Sequence, residues 1–520
     1  MTFSQDQNPG DPTYRRRIGE DGLVLRWSTT ADRAGCILLS CIVMGQQEGK
    51  EAEFAARYIE PYTDDAFYSG SSTNWALCVD TSSIETDSSG SDSGSYMENI
   101  RTNARSAQER VVALVYFLPG EFSFDSDAVR MPMGIALIVA CRPAYRQRAG
   151  DENVMKSLFE MVHSRAVLIG CSFMAIAGIP SYYRTHGYEY ALNFGRGLVT
   201  HVSALRAPNP PEPLAFSLRS ATLDDLPALE RLFNIPRTTA DIFAGVSAPV
   251  LHAQLRWFLG DRPAAYTSPS CHVPPFFILE KRDMPHAPPH VVAAGMHGGP
   301  PSTTVGPLLW DSIEDASAVT LGLVRALKEA LDRHVAADGI QIPLKTIQWN
   351  VGDTHPLRRW LIANELAVPP ESSRYDHKST WWAVIPSLPA FLSALAPALN
   401  VRLASVVPIF GKNYVGELHI AAPRALGGDV LLRVADGVVS VGRPSPESNA
   451  RPNLSLPRGA LVQLMLGYMG WGELKSVFPD VVVEPAVVPL VEALFPKREG
   501  VASSILGPHH INAAALSFEY

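Results

Sequence analysis

Apolar and polar positions in the first two hundred residues fall into short blocks whose period switches repeatedly between two and about three and a half. Leu23–Trp27 alternates as a short strand, and Ser28–Asp32 supplies N-cap residue types ahead of a helix through Cys41. Asn74–Val79 is a further strand. Asp80–Asn103 follows as a run of Ser, Gly, Asp and Thr too polar to bury, expected as a disordered insert. Val111–Leu118 and Met133–Cys141 read as long neighbouring strands, separated by Pro119-Gly120 turn chemistry and the more polar Glu121–Arg130. Val154–Arg165 returns to the helical period, with Val154, Leu158, Phe159 and Val162 along one side. Val167–Ala177 is then expected as a buried strand ended by Gly178, with Pro180 in the first turn of a short helix.

Ala207–Pro213 carries four prolines, which stiffen it toward an extended form and deny it ladder and helix bonds, so a domain boundary is placed there. Beyond it, Phe216–Arg219, Thr222-Leu223-Asp224-Asp225 and a helix to Phe233 restate the opening of the chain, and an internal duplication is expected. The second unit continues with a helix at Leu321–Val335, a strand at Lys345–Val351, a helix at His355–Glu365 and a closing strand at Trp381–Ile385; it has no glycine-rich loop. From Ser387 the pattern predicts a helix through Leu399, then strands at Gly416–Ile420, Val430–Val434 and Val438–Gly442, with Asp436-Gly437 as a hairpin turn. Short helices at Arg458–Tyr468, Trp471–Val477 and Val487–Leu494 would cover one face of that sheet. The fold class is therefore α/β with mixed sheets: a disordered tail at 1–13, a first domain at 14–207 containing the insert 80–103, a second at 214–385 and a third at 386–520.

Composition narrows the function classes. With 520 residues the chain exceeds a single core, and 46% hydrophobic against 18% charged residues describes a folded protein. A net charge of −8 leaves no basic footprint for nucleic acid. Cys36, Cys41, Cys78, Cys141, Cys171 and Cys271 are scattered in mostly apolar surroundings, which suits a reducing compartment. The polar N-terminus lacks the apolar run of a signal peptide, and no stretch reaches about 18 uninterrupted apolar residues, so a cytoplasmic protein without a membrane span is expected.

The chemistry centres on the loop after Cys141. A strand-to-helix loop exposes backbone N–H groups beside a helix N-terminus, a setting suited to a pyrophosphate, and Tyr145–Gly150 occupies that place. Cys141 and Cys171 lie on strands expected to be buried, which excludes a nucleophilic thiol. His509-His510 with His163 or His186 lacks a carboxylate or cysteine at a metal-ligand spacing, and no metal is expected. His355 marks a helix start and is read as capping and packing.

Pro143–Arg148, Leu158–His163 and Gly178–Leu192 together resemble the GCN5-related N-acetyltransferase superfamily. Within it the chain is similar to the three-domain enhanced-intracellular-survival type: two acetyltransferase-like domains, the second degenerate, followed by a sterol-carrier-like domain. Leu461–Tyr468, Glu473-Leu474, Phe478-Pro479-Asp480 and Leu494–Lys497 carry the last part of the likeness. The resemblance implies an acetyl-CoA-dependent acyltransferase acting on a primary amine, on a small molecule or a lysine side chain, by direct attack on the thioester. It also implies an oligomer, of unspecified size. On this reading Val139 and Cys141 pair with the pantetheine arm, Arg146, Gln147, Arg148, Ala149, Gly150 and Asn153 surround the pyrophosphate, and Tyr183 is the general acid for the leaving thiolate. Tyr182 takes that role if the register shifts by one, and the terminal carboxylate of Tyr520 matches a base used in this type. Ala149 stands where the pattern has its first glycine, about four extra residues separate Arg148 from the helix, and Leu137 replaces a frequent acidic residue. The longer loop favours a competing class, a non-catalytic carrier that binds an apolar ligand in its third domain.

Overall fold

The computed structural model describes residues 7–19, 22–44, 59–82, 96–105, 109–146, 153–179, 181–193, 197–205, 215–260, 276–284, 286–297, 302–311, 315–332, 343–349, 351–352, 355–368, 380–411, 414–445, 451–498 and 500–503. The chain opens with β1 (Arg15–Ile18), β2 (Leu23–Trp27), β3 (Trp75–Asp80), β4 (Arg110–Phe124), β5 (Val129–Cys141), β6 (Phe173–Ile176) and β7 (Glu189–Asn193). It continues through β8 (Leu198–His201), β9 (Phe216–Ser220), β10 (Ile242–Gly245), β11 (Phe276–Lys281), β12 (His290–His297), β13 (Ser302–Trp310), β14 (Thr346–Trp349) and β15 (Thr380–Val384). The last strands are β16 (Gly416–Ala421), β17 (Val430–Ala435), β18 (Val438–Gly442), β19 (Leu454–Ser455), β20 (Val482–Val483) and β21 (Ala502–Ser503). Among the described residues they form three sheets, ordered β1-β2-β3-β4-β5-β6-β15-β7, β8-β14-β13-β12-β11-β9 and β18-β17-β16-β19-β20, with β10 and β21 attached to the first through β4.

Two strands cross between the units. The strand expected at Trp381–Ile385 as the end of the second unit is β15, and it lies in the first sheet, antiparallel to β6 through Trp382↔Ile176 and to β7 through Trp382↔Tyr190. In return β8, expected within the first domain, joins the second sheet antiparallel to β14 through Ile347↔Thr200. The exchange occurs at the same place in both sheets, since β6 and β14 each follow the long helix of their unit. Trp382 shows why it is stable: the indole is fully buried and stacks on Tyr190 at 3.6 Å. Removing a side chain of that size from water contributes about 4 kcal/mol.

The duplication is visible bond for bond. Arg26 makes paired hydrogen bonds to Asp32, each 2.7 Å, and a third to Glu109 at 2.8 Å, while Asp32 accepts the Thr29 backbone N–H at 2.8 Å. Arg219 holds Asp225 at 2.7 and 2.8 Å and Glu280 at 2.8 Å, and Asp225 accepts the Thr222 N–H at 2.8 Å. The capping signal in each unit thus also anchors a charged triad under its first helical turn.

Several elements extend beyond their sequence limits. β4 and β5 run as one long hairpin through Glu121–Arg130, because Phe122, Phe124 and Met131 are buried on one face. Pro119 interrupts nothing: β3 pairs β4 only as far as Tyr116 and β10 begins at Glu121, so the missing N–H faces a gap. Gly120 suits the close approach of β10 there, since a Cβ would sit 3.1 Å from the Gly245 carbonyl oxygen, tighter than ordinary contact. The insert expected to be disordered contains a helix, Tyr96–Arg105, whereas 83–95 lies outside the described residues. The segment expected as a strand from Val167 continues the preceding helix to Leu168 and turns at Gly170 (φ 79°), leaving only Phe173–Ile176 extended. The helix expected to stop at Leu399 runs from Leu388 to Phe410. By length and composition it could cross a membrane, but here Leu388, Phe391, Leu392, Leu395 and Leu399 are fully buried in the core. The proline-rich linker lies outside the described residues, as does Cys271; the other five cysteines are buried free thiols.

Asp125, at the tip of the β4–β5 hairpin, joins the third unit to the first. It accepts from Arg402 of the long helix at 2.8 Å and pairs with Arg498.

Because β15 completes the first sheet from a distance, a chain ended after Leu205 is expected to lack a cooperative thermal transition in near-UV circular dichroism. A sharp melt of that truncated chain would contradict the exchange.

Candidate functional site

β5 and β6 pair in parallel from Met133↔Phe173 to Ala136↔Ile176 and then part. Beyond Ala136, β5 keeps β4 on one side and has no strand on the other among the described residues. At this point β5 is bulged: Phe117 pairs with Ala136 but Val115 with Val139, so Leu137 and Ile138 together oppose Tyr116. A bulge beside a parting strand re-aims the main chain and leaves amide groups for an extended ligand. Val139 and Cys141 both stand on this edge, Val139 half-buried and Cys141 buried. Burial raises the Cys141 thiol, against the nearby charge of Arg146, so it is not a ready nucleophile.

The turn after β5 is held by the Tyr145 hydroxyl, which donates to Asp80 at 2.7 Å, and by the Arg146 N–H, which donates to the Pro143 carbonyl. Arg146 is exposed, with its charge acting on Cys141 and Tyr182. Gln147, Arg148, Ala149 and Gly150 lie outside the described residues. Asn153 is the N-cap of the Val154–Leu168 helix, and its side chain accepts from the Lys156 N–H at 3.1 Å. A capped 15-residue helix therefore begins where the loop returns, with its remaining N–H groups and positive dipole end turned toward the loop.

Across the gap from β5 stands the short helix Tyr182–His186, entered through Ser181 in the left-handed region (φ 64°), an uncommon conformation for serine. Tyr183 is buried, and its hydroxyl lies 3.0 Å from where a Cβ of Gly178 would be. Gly178 has φ +138°, and a side chain there would be strained and pressed against that hydroxyl. Tyr182 is half-buried and faces Cys141 and Arg146, with its phenol raised by burial. Both tyrosines therefore border the parted strands, Tyr183 from the β6 end and Tyr182 from the β5 edge.

Behind them is an aromatic and imidazole cluster that sequence reading did not assemble. Phe159 stacks on His186 at 4.2 Å, and His163 Nε2 is 2.9 Å from the Tyr188 hydroxyl. Burial pushes His163 down to about 4, helped by His186 and Arg458, and pushes His186 down to about 4 as well. Both rings are therefore neutral at pH 7. Trp382 reaches the cluster from β15, and no local signal in the sequence could have placed it there.

On the opposite face Tyr116, which stands across from the bulge, contacts Tyr62 at 5.0 Å and Trp75 at 4.7 Å. Two residues before Tyr62, the Glu60 carboxyl is 2% exposed, has one buried oxygen without a partner, and is pushed up to about 7 by burial despite Arg33 nearby. Leu137, on the strand itself, packs as a core residue. His355 caps its helix, with Nδ1 accepting from the Leu357 N–H at 3.2 Å, in keeping with the structural role read for it. Tyr520 and His509-His510 lie outside the described residues, and among the described residues no cluster of His, Cys, Asp or Glu could hold a metal.

His163 and His186 give this site a pH signature. Each is depressed in the fold, so their contribution is present above pH 6.5 and is lost as pH falls toward 4. For His163 that is up to about 3 kcal/mol. The midpoint of urea unfolding is expected to fall over this window, and His163→Gln is expected to flatten the fall. Equal slopes in the two proteins would show that His163 titrates normally.

No protein-family model matches the sequence, and no curated protein does. Solved structures do. A GCN5-related N-acetyltransferase from Anabaena variabilis is 11% identical, with 92% of this chain and 99% of that one covered at a TM-score of 0.59. A GCN5-related N-acetyltransferase from Kribbella flavida is 15% identical, covering 92% and 97% at 0.56. Eis1 from Mycobacterium abscessus is 10% identical, covering 92% and 99% at 0.52. At these identities the likeness is one of fold, and over nine-tenths of its length this chain has the fold of the GCN5-related N-acetyltransferases, including that of Eis1.

Proposed function

We propose that the chain transfers an acetyl group from acetyl-CoA to a primary amine, of a small molecule or a lysine side chain. The observation that carries this is the bulged edge of β5, which parts from β6 between a capped helix N-terminus and two buried or half-buried tyrosines. The open edge at Val139 and Cys141 suits the amide-rich pantetheine arm. Arg146, the loop Gln147–Gly150 and the helix start at Asn153 suit the pyrophosphate, through charge and backbone N–H groups together.

The chemistry asked of the protein is modest. The amine lone pair forms a C–N bond at the thioester carbonyl, the C–S bond breaks, and the departing sulfur takes a proton. Tyr183 is the donor on this reading, because its hydroxyl lies at the end of β6. Tyr182 is the alternative, placed beside Cys141 and Arg146. The incoming ammonium must first lose a proton. With no acid on β5, Glu60 is the acceptor we favour, since a carboxyl held near 7 can exchange a proton at neutral pH. The terminal carboxylate of Tyr520 is the other base this family type would supply. The third unit is read as the sterol-carrier-like domain of that type, and the whole as a cytoplasmic oligomer.

Calorimetry with acetyl-CoA is expected to show micromolar binding that Arg146→Glu removes. Tyr183→Phe should keep that affinity and slow thiol release by about 10² or more, whereas Tyr182→Phe should not. The reverse order would move the acid to Tyr182, and no binding at millimolar acetyl-CoA would leave the carrier reading. In the pH profile of kcat/KM, the rise near pH 7 is expected to disappear in Glu60→Gln; a retained rise would assign the base to another group.

A further inference from the structure

The turn that carries Tyr183 is gripped from outside its own unit. The helix Arg458–Met465 of the third unit packs on β7. Gln463 Nε2 donates to the Tyr190 carbonyl at 3.0 Å, and Gly459 lies so close to Glu189 that a Cβ would be 2.8 Å from the carboxylate. Arg458 comes closer still to the tyrosine turn. Its Nη2, Cζ and Nη1 lie 2.7, 3.1 and 3.2 Å from where a Cβ of Gly187 would be, so the guanidinium covers the glycine that ends the turn. Gly187 has φ +88°, so its glycine identity serves both the backbone turn and the approach of the cation.

This cation has no ordinary structural partner. Among the described residues no carboxylate pairs with Arg458, and its Nε is buried without an acceptor. Glu189, the nearest acid on the turn, is already engaged by Arg184 at 2.6 Å. A half-buried guanidinium left without a counter-charge is unfavourable by itself, as its depressed basicity from burial records. What it faces is the support of Tyr183. Gly187 N–H donates to the Arg184 carbonyl and Tyr188 N–H to the Tyr183 carbonyl, closing the turn. The Tyr188 hydroxyl meets His163, on which the charge of Arg458 acts. Other titratable groups around the turn are His186, Tyr182 and Tyr190, with Tyr468 of the third unit acting on Tyr190 and with Cys141 and Arg146 acting on Tyr182.

We propose that Arg458 is a positioning residue for the proposed acetyl transfer: from the third unit it presses on Gly187 and, through the His163–Tyr188 pair, holds Tyr183 in place. This rests on the acyltransferase reading, but the grip on the turn can be judged without it. The full-length chain with Arg458→Gln or Arg458→Lys is tested in two ways. In the first, acetyl-CoA affinity is measured by calorimetry and kcat by thiol release with Nα-acetyl-lysine amide as the amine probe. Arg458→Gln is expected to lower kcat at least tenfold with affinity within twofold, and Arg458→Lys to recover part of the loss. In the second, the His163 ring is titrated by NMR, assigned with His163→Gln. Its pKa should rise in Arg458→Gln and stay at the wild-type value in Arg458→Lys.

A His163 titration unmoved by Arg458→Gln overturns the proposal, as does an unchanged kcat in a wild-type chain that turns the probe over. If the wild type neither binds acetyl-CoA nor acetylates the probe, the acyltransferase reading falls, and the His163 titration alone then decides whether Arg458 grips the turn.

Discussion

The placement of β15 between β6 and β7 is the constraint on which the rest of the structure depends. Without it β6 would keep only β5 and have an open edge, β7 would have no strand neighbour among the described residues, and the Tyr182–His186 turn would be anchored at its β6 end alone. The strand that prevents this is supplied by a segment almost two hundred residues further along the chain, and β8 repays it in the second sheet. Two units joined by reciprocal strands fold as one object, so a disturbance in either is felt at the tyrosine turn. The stacked pair Tyr190 and Trp382 is where that coupling is most concentrated.

The second theme is neutral polarity under burial. His163 and His186 are held in their uncharged forms by desolvation, which also raises the Tyr188 phenol, and the cluster is joined through ring contacts and one short imidazole-to-phenol bond. The buried thiols behave likewise: burial pushes Cys78 and Cys171 up to about 12. Against this background Glu60 and Arg458 stand out. Each carries or can carry charge in a partly or wholly buried position without a matched partner, which a core selected for stability alone would replace. One lies across the sheet from the tyrosines and the other behind them, so the parted strands are flanked on both faces by groups able to influence a proton.

Much of this was legible in local pattern. The Thr29–Asp32 and Thr222–Asp225 boxes announced both helix starts and the duplication, because capping chemistry is confined to neighbouring residues. The Val154 helix was readable from its apolar period, whereas Asn153, expected beside the pyrophosphate, is the N-cap of that helix. The hairpin through Glu121–Arg130 was not, because polar residues there alternate with Phe122, Phe124 and Met131, whose burial depends on β10 and the third unit covering them. Nor could period alone separate the end of a helix from a strand at Val167–Ile169, where three apolar side chains remain exposed.

The sequence by itself determined the kinds of element, their order, the repeated opening of two units, and the segment carrying Tyr183. Each of these is encoded by residues within about a turn of helix or a strand's length of one another. Tertiary structure alone decided which sheet each strand completes, and that Trp382 and Arg458 meet the tyrosine turn. It also placed Glu60 in a buried setting where its proton is held near neutrality. The physical reason is that strand pairing and desolvation are set by whatever packs alongside, and here those neighbours come from units far apart in the chain.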